Sequence, residues 1–273
     1  MKRRGATSRA QRGAAILMAM LTVTLVATFA AAALWQQWRA VEVEGAERSR
    51  VQSSWVLTGA LDWARLILRE DGRSGGADHL AEPWALPLQE ARLSTFLAAD
   101  SNNTTESDSE DAFLSGEVTD IQSRLNVMAL VSNNQVNPSG LRAFSKLFDA
   151  LGLPQAQLQA LAENLRLAAD TGASANAGSG ALLMPQRMEQ LAWLGLAPQT
   201  IAALTPYAAI LPAATPVNLN TASAEVIFAS VADLDMAEAQ RLVAQRERQH
   251  FRTLAEAGQL IPEIAGQIND GGH

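Results

Sequence analysis

The sequence predicts a predominantly helical α+β chain, and three observations carry that reading. Ala14–Leu34 is a run of 21 residues without a charge, preceded by a basic N-terminus. Apolar residues recur at helical spacing beyond that run and again from Leu141 onward. Between those stretches, Phe113–Leu130 places Val118, Ile121, Leu125 and Val127 among polar residues, a pattern that permits one or two strands.

Composition narrows the function. At 273 residues the chain has ample material for a core. There is no Cys, which removes disulfides, thiolate zinc sites and cysteine nucleophiles. The first 13 residues hold five of the 21 basic groups and none of the 28 acidic ones, so the body is strongly acidic. Such a body is not attracted broadly to nucleic acid or anionic lipid.

The N-terminal segment comes first. As a helix, Ala14–Leu34 spans roughly 30 Å, one bilayer core. Lys2, Arg3, Arg4, Arg9 and Arg12 precede it, and Glu42, Glu44 and Glu47 follow. The positive-inside rule then puts Met1 in the cytoplasm and the body outside. Trp35 and Trp38 sit where an interfacial aromatic belt would lie. Three fates are open: a signal cleaved near Ala31–Ala33, an uncleaved anchor, or a basic leader cut after Gly13 with the apolar helix retained. Helical spacing continues through Trp55, Gly59, Trp63, Leu66 and Ile67, with Asp62, Arg65 and Arg69 off that face. A single helix from Ala14 to about Arg69 would be about 80 Å long, with Gly45 as a weak point. The Trp55 stripe is expected to face the core.

The body then changes character several times. EDGRSGGADHLAE is polar and Gly-rich, and PWALPL reads as extended or turn structure. DSNNTTESDSED, residues 100–111, is an acidic low-complexity loop. Asp100, Asn102, Glu106, Asp108 and Asp111 offer oxygen ligands, but Thr105 stands where a calcium loop of the EF-hand type needs Gly. A solvated loop is the first reading and a calcium site the second. From Leu141 short helices succeed one another: Leu141–Leu151 stopped by Gly152, LPQAQLQALAENLRLAAD, MPQRMEQLAWLGL and APQTIAALTPYAAILP. In the last stretch Thr221 is expected to cap a helix over Ala222–Ala229. Another runs through Met236–Arg246, and a final one starts near Thr253.

VNLNTASAEVI and the helical stretch after it resemble a helix-hairpin-helix module of SAM-like fold. In its DNA-binding versions a Gly-rich hairpin meets a phosphate through backbone N–H groups. Here the hairpin reads VADLDMAEA, without Gly, and Asp233 and Asp235 would repel the phosphate. His79, His250 and His273 show no ligand spacing, and no Walker loop or GxGxxG is present. The chain reads as a structural or interaction protein, not an enzyme, with no catalytic residues. Two alternatives stand beside it: a membrane-anchored helix-hairpin-helix nucleic-acid receptor, and a soluble protein released by signal cleavage.

Four stretches in order resemble one family. RGAAILMAML resembles a pilin-like prepilin-peptidase site. GEVTDIQSRLNVMALV resembles the GxVxDxQxRxNxxxL stretch of the minor pseudopilin K family of type II secretion systems. FSKLFDALGLP is similar to that family's first helical segment. LTPYAAILP with PVNLNTASAEVI resembles its junction into the SAM-like module.

The resemblance implies a long N-terminal pilin-like helix and a small pilin α/β head with a large inserted helical domain. Its parts would be a basic leader (1–13), a transmembrane half-helix (14–34), a periplasmic half-helix with the head (35–137), a first helical module (138–215), a second, SAM-like module (216–265) and a tail (266–273). It implies prepilin-peptidase cleavage between Gly13 and Ala14, with methylation of the new Ala14 amine. Most pilin-like proteins carry Glu at the fifth mature position, and pseudopilin K typically lacks it; Met18 stands there in this chain. It further implies an inner-membrane, single-pass protein at the tip of the pseudopilus. The partners would be minor pseudopilins I and J, then minor pseudopilin H and the major pseudopilin G, with prepilin peptidase and membrane lipid, and no nucleic acid. Family members bind calcium in the head, which keeps the Asp100–Asp111 loop as a candidate. Two departures accompany the resemblance. Glu163-Asn164-Leu165-Arg166 stands where an acidic Asp-Trp-Ile-Asp type stretch is usual. The sequence closes on IPEIAGQINDGGH, where the family continues with strands that complete the pilin sheet, which leaves two readings: an incomplete head sheet, or a truncated or frame-shifted sequence.

Overall fold

The computed structural model describes residues 8–92, 113–173, 182–213 and 215–261. The chain divides into two units between Leu66 and Ile67. The first is almost wholly the helix α1 (Ser8–Ser74, 67 residues), which runs on as the start of the second. At 1.5 Å per residue α1 is about 100 Å long. It passes through Gly45 without interruption, because one glycine costs only about 1 kcal/mol in a helix this long. Its part from Ala14 contains a stretch of mean hydropathy 2.2, long and apolar enough to cross a membrane. The hydroxyls of Thr22, Thr24 and Thr28 donate to the carbonyls of Ala19, Leu21 and Leu25. That internal pairing leaves no hydroxyl donor unmet in an apolar surround. The rings of Trp35 and Trp38 pack together, centroids 5.3 Å apart.

The Trp55 stripe, expected to be buried, is exposed along α1. Trp55 is 72% exposed, and Trp63 and Leu66 are also exposed. Helical periodicity identifies an apolar face; it does not say what covers that face.

In the second unit, Gly75 and Gly76 have φ of 68° and 141°, and this left-handed backbone comes directly after the end of α1. A single 3-10 turn, Pro83–Ala85, buries Trp84. β1 (Leu88–Arg92) and β2 (Phe113–Gly116) pair antiparallel, with Leu88 opposite Gly116 and Arg92 opposite Phe113. The strands expected around Val118–Val127 are mostly tight turns. Asp120 and Asn126 each accept a backbone N–H two residues on and nucleate 3-10 turns at Ile121–Ser123 and Val127–Leu130. Only β3 (Leu125–Asn126) is extended there. β4 (Val131–Ser132) and β5 (Gln135–Val136) form a hairpin over Asn133 and Asn134, whose φ of 52° and 59° suit a two-residue turn.

The helices come next: α2 (Pro138–Ala150), α3 (Gln155–Ala173), a 3-10 segment Met188–Leu194 stopped by Gly195, and α4 (Pro198–Leu204). β6 (Ala208–Ala209) pairs parallel with β3. Then come α5 (Ala224–Ser230), α6 (Met236–Arg248) and α7 (Leu254–Leu260). The cap of α5 is Ser223, not Thr221: the Ser223 side chain accepts Val226 N–H, while the Thr221 hydroxyl is engaged elsewhere. One apolar core runs through all these helices, from Phe144, Leu147 and Phe148 of α2 through Leu158, Leu161 and Leu165 of α3 to Ile227, Leu242 and Phe251. Each such side chain contributes about 1.5–3 kcal/mol by leaving water.

Candidate functional site: a polar junction between the helical modules

The polar groups converge where the chain enters and leaves the helical body. The Asp120 carboxylate accepts from Gln122 N–H through Oδ1 at 2.8 Å. Its Oδ2 accepts from the Thr221 hydroxyl at 2.6 Å and from Asn218 Nδ2 at 3.0 Å. Asn218 Nδ2 also reaches the Asp78 carbonyl at 3.1 Å. Four residues on, Arg124 Nη1 donates to the Thr205 carbonyl at 3.2 Å. Two further on, Asn126 is 4% exposed and fully engaged. It donates to the carbonyls of Ala213 and Leu211 and accepts from Leu211 N–H and Met128 N–H. Asp120, Arg124 and Asn126 thus staple one segment to the 205–221 stretch.

The same stretch ties forward. The Asn220 side-chain amide donates to the Phe251 carbonyl and accepts Phe251 N–H, both at 2.9 Å, closing a ring between that side chain and the Phe251 backbone. Arg246 donates to the carbonyls of Leu219 and Ala222. His79 and His250 stack at 3.8 Å between centroids. The Thr221 hydroxyl is one of three donors on the Asp120 carboxylate, and the other two, Gln122 N–H and Asn218 Nδ2, lower its basicity toward that hydroxyl. The arrangement joins the Asp120–Asn126 segment to the 205–221 stretch and that stretch to Arg246 and Phe251.

The turn between α5 and α6 bears on the nucleic-acid reading. Its carbonyls at Val231, Ala232 and Leu234 all accept from Lys146 Nζ. Burial pulls the Lys146 pKa down, and Asp233 pushes it back up. Asp235 is exposed, but its carboxylate is engaged: it caps α6, accepting Glu238 N–H while Glu238 accepts Asp235 N–H. Three carbonyls of the turn are engaged within the chain, and its exposed Asp233 and Asp235 would repel a phosphate, so the nucleic-acid reading is not favoured.

Gly13 and Ala14 lie within α1, and Met18, also on α1, is 68% exposed. Asp100, Asn102, Glu106, Asp108 and Asp111 lie outside the described residues. A different acidic group forms at the start of the second unit, where carboxylate oxygens of Asp71, Asp78 and Glu82 lie within 4.8 Å of one another. Glu82 Oε2 is already occupied by His79 N–H and Trp84 Nε1–H. Three carboxylates supply only part of the six to eight oxygens that a calcium ion takes.

Desolvation raises the Asp78 pKa first, then the charges of Glu82, Asp71 and Asp120, with His79 acting the other way. A carboxyl raised in this way contributes most below the ordinary aspartate range, and the contribution is lost as pH rises through the folded pKa. Asp78→Asn is therefore expected to raise Tm at pH 7 and to leave it unchanged near pH 3. The backbone carbonyl that serves Asn218 is kept. Thermal melts at both pH values check this, and an equal shift at both would contradict it.

Sequence reasoning missed Asn126, Asn220, Lys146 and Arg246. Two of them had a visible signal in the N-x-N-T run and in the Asn of the RLN triplet; Lys146 and Arg246 had none, since a basic residue on a helix is usually solvated.

A long N-terminal helix whose first part is apolar enough to cross a membrane, followed by a helical body, is the architecture expected of a pilin-like protein. Two family models described as "Type II secretion system (T2SS), protein K" match residues 123–213 and 217–270. The chain belongs to the type II secretion system protein K family, whose members are pseudopilins of protein secretion. It is 26% identical to the type II secretion system protein K of Pseudomonas aeruginosa, an alignment covering 96% of this chain and 80% of that protein. Its fold matches a chain in the crystal structure of the GspK-GspI-GspJ complex from enterotoxigenic Escherichia coli Type 2 Secretion System. That match has a TM-score of 0.50 at 16% identity, covering 77% of this chain and 71% of the other. This is the expected architecture: a long N-terminal helix and a pilin-like fold with an inserted helical domain.

Proposed function

We propose that this chain is the minor pseudopilin at the tip of the type II secretion pseudopilus, a non-enzymatic component that helps nucleate and cap the assembly. The observation that carries the reading is the family match across both helical modules. The solved relative's complex with GspI and GspJ supports minor pseudopilins I and J as direct neighbours. Minor pseudopilin H, the major pseudopilin G and the prepilin peptidase are implied by membership of the same system. The apolar part of α1 supports an inner-membrane anchor, and the basic residues before it support a cytoplasmic N-terminus with a periplasmic body. Met18 supports the tip position. A carboxylate at that depth is costly unless it neutralises a neighbour's amine, and the first member of the assembly has no neighbour above it to serve.

The processing site is part of the proposal: cleavage after Gly13, then methylation of the Ala14 amine. The test is the intact mass of membrane-extracted protein made with and without a prepilin peptidase. A methylated species starting at Ala14, seen only with the peptidase, is expected, and Gly13→Arg should abolish it. A start near Leu34, or an unprocessed start under both conditions, would overturn the reading. Co-extraction with tagged minor pseudopilins I and J checks the partners separately.

A further inference from the structure

We propose that the turn between α5 and α6 is a cation cradle, and that the Lys146 ammonium is its resident cation, locking the second helical module onto the first. Three backbone carbonyls converge on one nitrogen: Val231 at 2.7 Å, Ala232 at 3.0 Å and Leu234 at 2.9 Å. An ammonium has three N–H donors, and this set uses all of them. The Phe228 ring closes a fourth side, its centroid 4.2 Å from Nζ, where the ring face attracts positive charge.

The carbonyls are held in place independently of the lysine. α5 ends at Ser230, and the N–H of its C-cap residue Val231 remains tied to the Ile227 carbonyl. α6 begins at the reciprocal cap between Asp235 and Glu238. The residues from Val231 to Asp235, between those fixed ends, turn three of their oxygens to one point. Val231 stands at the C-cap of α5, where a helix end carries partial negative charge and favours a cation; Ala232 and Leu234 add two carbonyls from the turn beyond it. Lys146 comes from α2, some 85 residues earlier, so the contact joins elements that the chain does not. Lysine on a helix face ordinarily leaves its charge in water. Here it is half-buried, and the charge of Asp233 in the same turn adds to the attraction of the carbonyls.

The cradle thus has a ligand class: a primary ammonium that donates in three directions. With the side chain cut back, a free alkylammonium should fill the space. Lys146→Ala removes the atoms that propylammonium restores. Lys146→Met keeps the apolar stem and deletes only the charge and the donors.

The test is hydrogen exchange in the full detergent-extracted chain, read over residues 138–150 and 224–248. Both variants are expected to lose protection there by roughly ten- to a hundredfold, the loss typical of hydrogen bonds to a charged group. Propylammonium chloride should restore protection in Lys146→Ala, not in Lys146→Met, where the stem blocks entry. Tetramethylammonium chloride, which has no N–H, should restore neither. Wild-type protection in Lys146→Met would overturn the lock. Equal responses of Lys146→Ala to the two salts would overturn the cradle.

Discussion

Gly140→Ala is expected to lower the stability of the head by at least about 3 kcal/mol, at or beyond the upper end of the usual cost of overpacking. A Cβ at residue 140 would lie 2.1 Å from the Ala129 carbonyl oxygen, 2.7 Å from its carbon and 3.2 Å from Leu130 N. All three are backbone atoms, so no side chain can swing aside. The backbones are also fastened to each other on that side: Asn137 N–H donates to the Leu130 carbonyl at 2.8 Å, and Asn137 Nδ2 to the Ala129 carbonyl at 3.0 Å. Relief would require lifting the first turn of α2 off the Val127–Leu130 turn, and with it Phe144 and Leu147 from the core. The sign is diagnostic. Helix propensity alone favours alanine over glycine by about 1 kcal/mol, so a urea midpoint that rises in the variant would mean the approach is looser than it stands. A falling midpoint with an unchanged slope is the expected result.

Asn126→Leu is expected to cost about 3–5 kcal/mol. The side chain is buried, and its amide makes both kinds of hydrogen bond at once. Leucine would leave Leu211 N–H and the Ala213 carbonyl without the partner they have, at about 1–3 kcal/mol for each group that stays buried, besides uncapping the turn at Met128. Asn126→Asp separates the contributions. It keeps the two accepted bonds and loses both donations, while turning a carboxylate on the carbonyls of Leu211 and Ala213. Both variants should therefore be destabilised in denaturant titrations. A full-strength Asn126→Asp protein would mean that the donations carry nothing and that the junction is held by packing alone.

Local rules reach about as far as local causes do. The membrane segment is legible as an uncharged run, and the helix faces of α2 and α3 are legible in apolar spacing that the core then uses. The starts of α6 at Met236 and of α7 near Thr253 stand where the sequence puts them, capped by Asp235 and Thr253. The misses share a cause. Val118–Val127 has the apolar content of a strand, but Asp120 and Asn126 fold the backbone back on their own carboxylate and amide oxygens. The β3–β6 pair is two residues deep on each strand, too short to leave a period. At Trp55 an exposed face and a buried one have the same spacing. The junction is visible as letters in a family-like stretch, whereas its chemistry lies in partners elsewhere in the chain.

Those separations also set an order in time. Asp120, Arg124 and Asn126 meet groups 81 to 101 residues further along. At roughly 5–20 residues per second of synthesis, each waits on the order of ten seconds for its distant partner. Loop closure over such a length adds little cost in free energy, but it cannot begin before the far partner exists. A nascent chain halted just before Thr205 would hold most of the core of α2 and α3 with its seam still open, and that interval is when a chaperone would find something to grip.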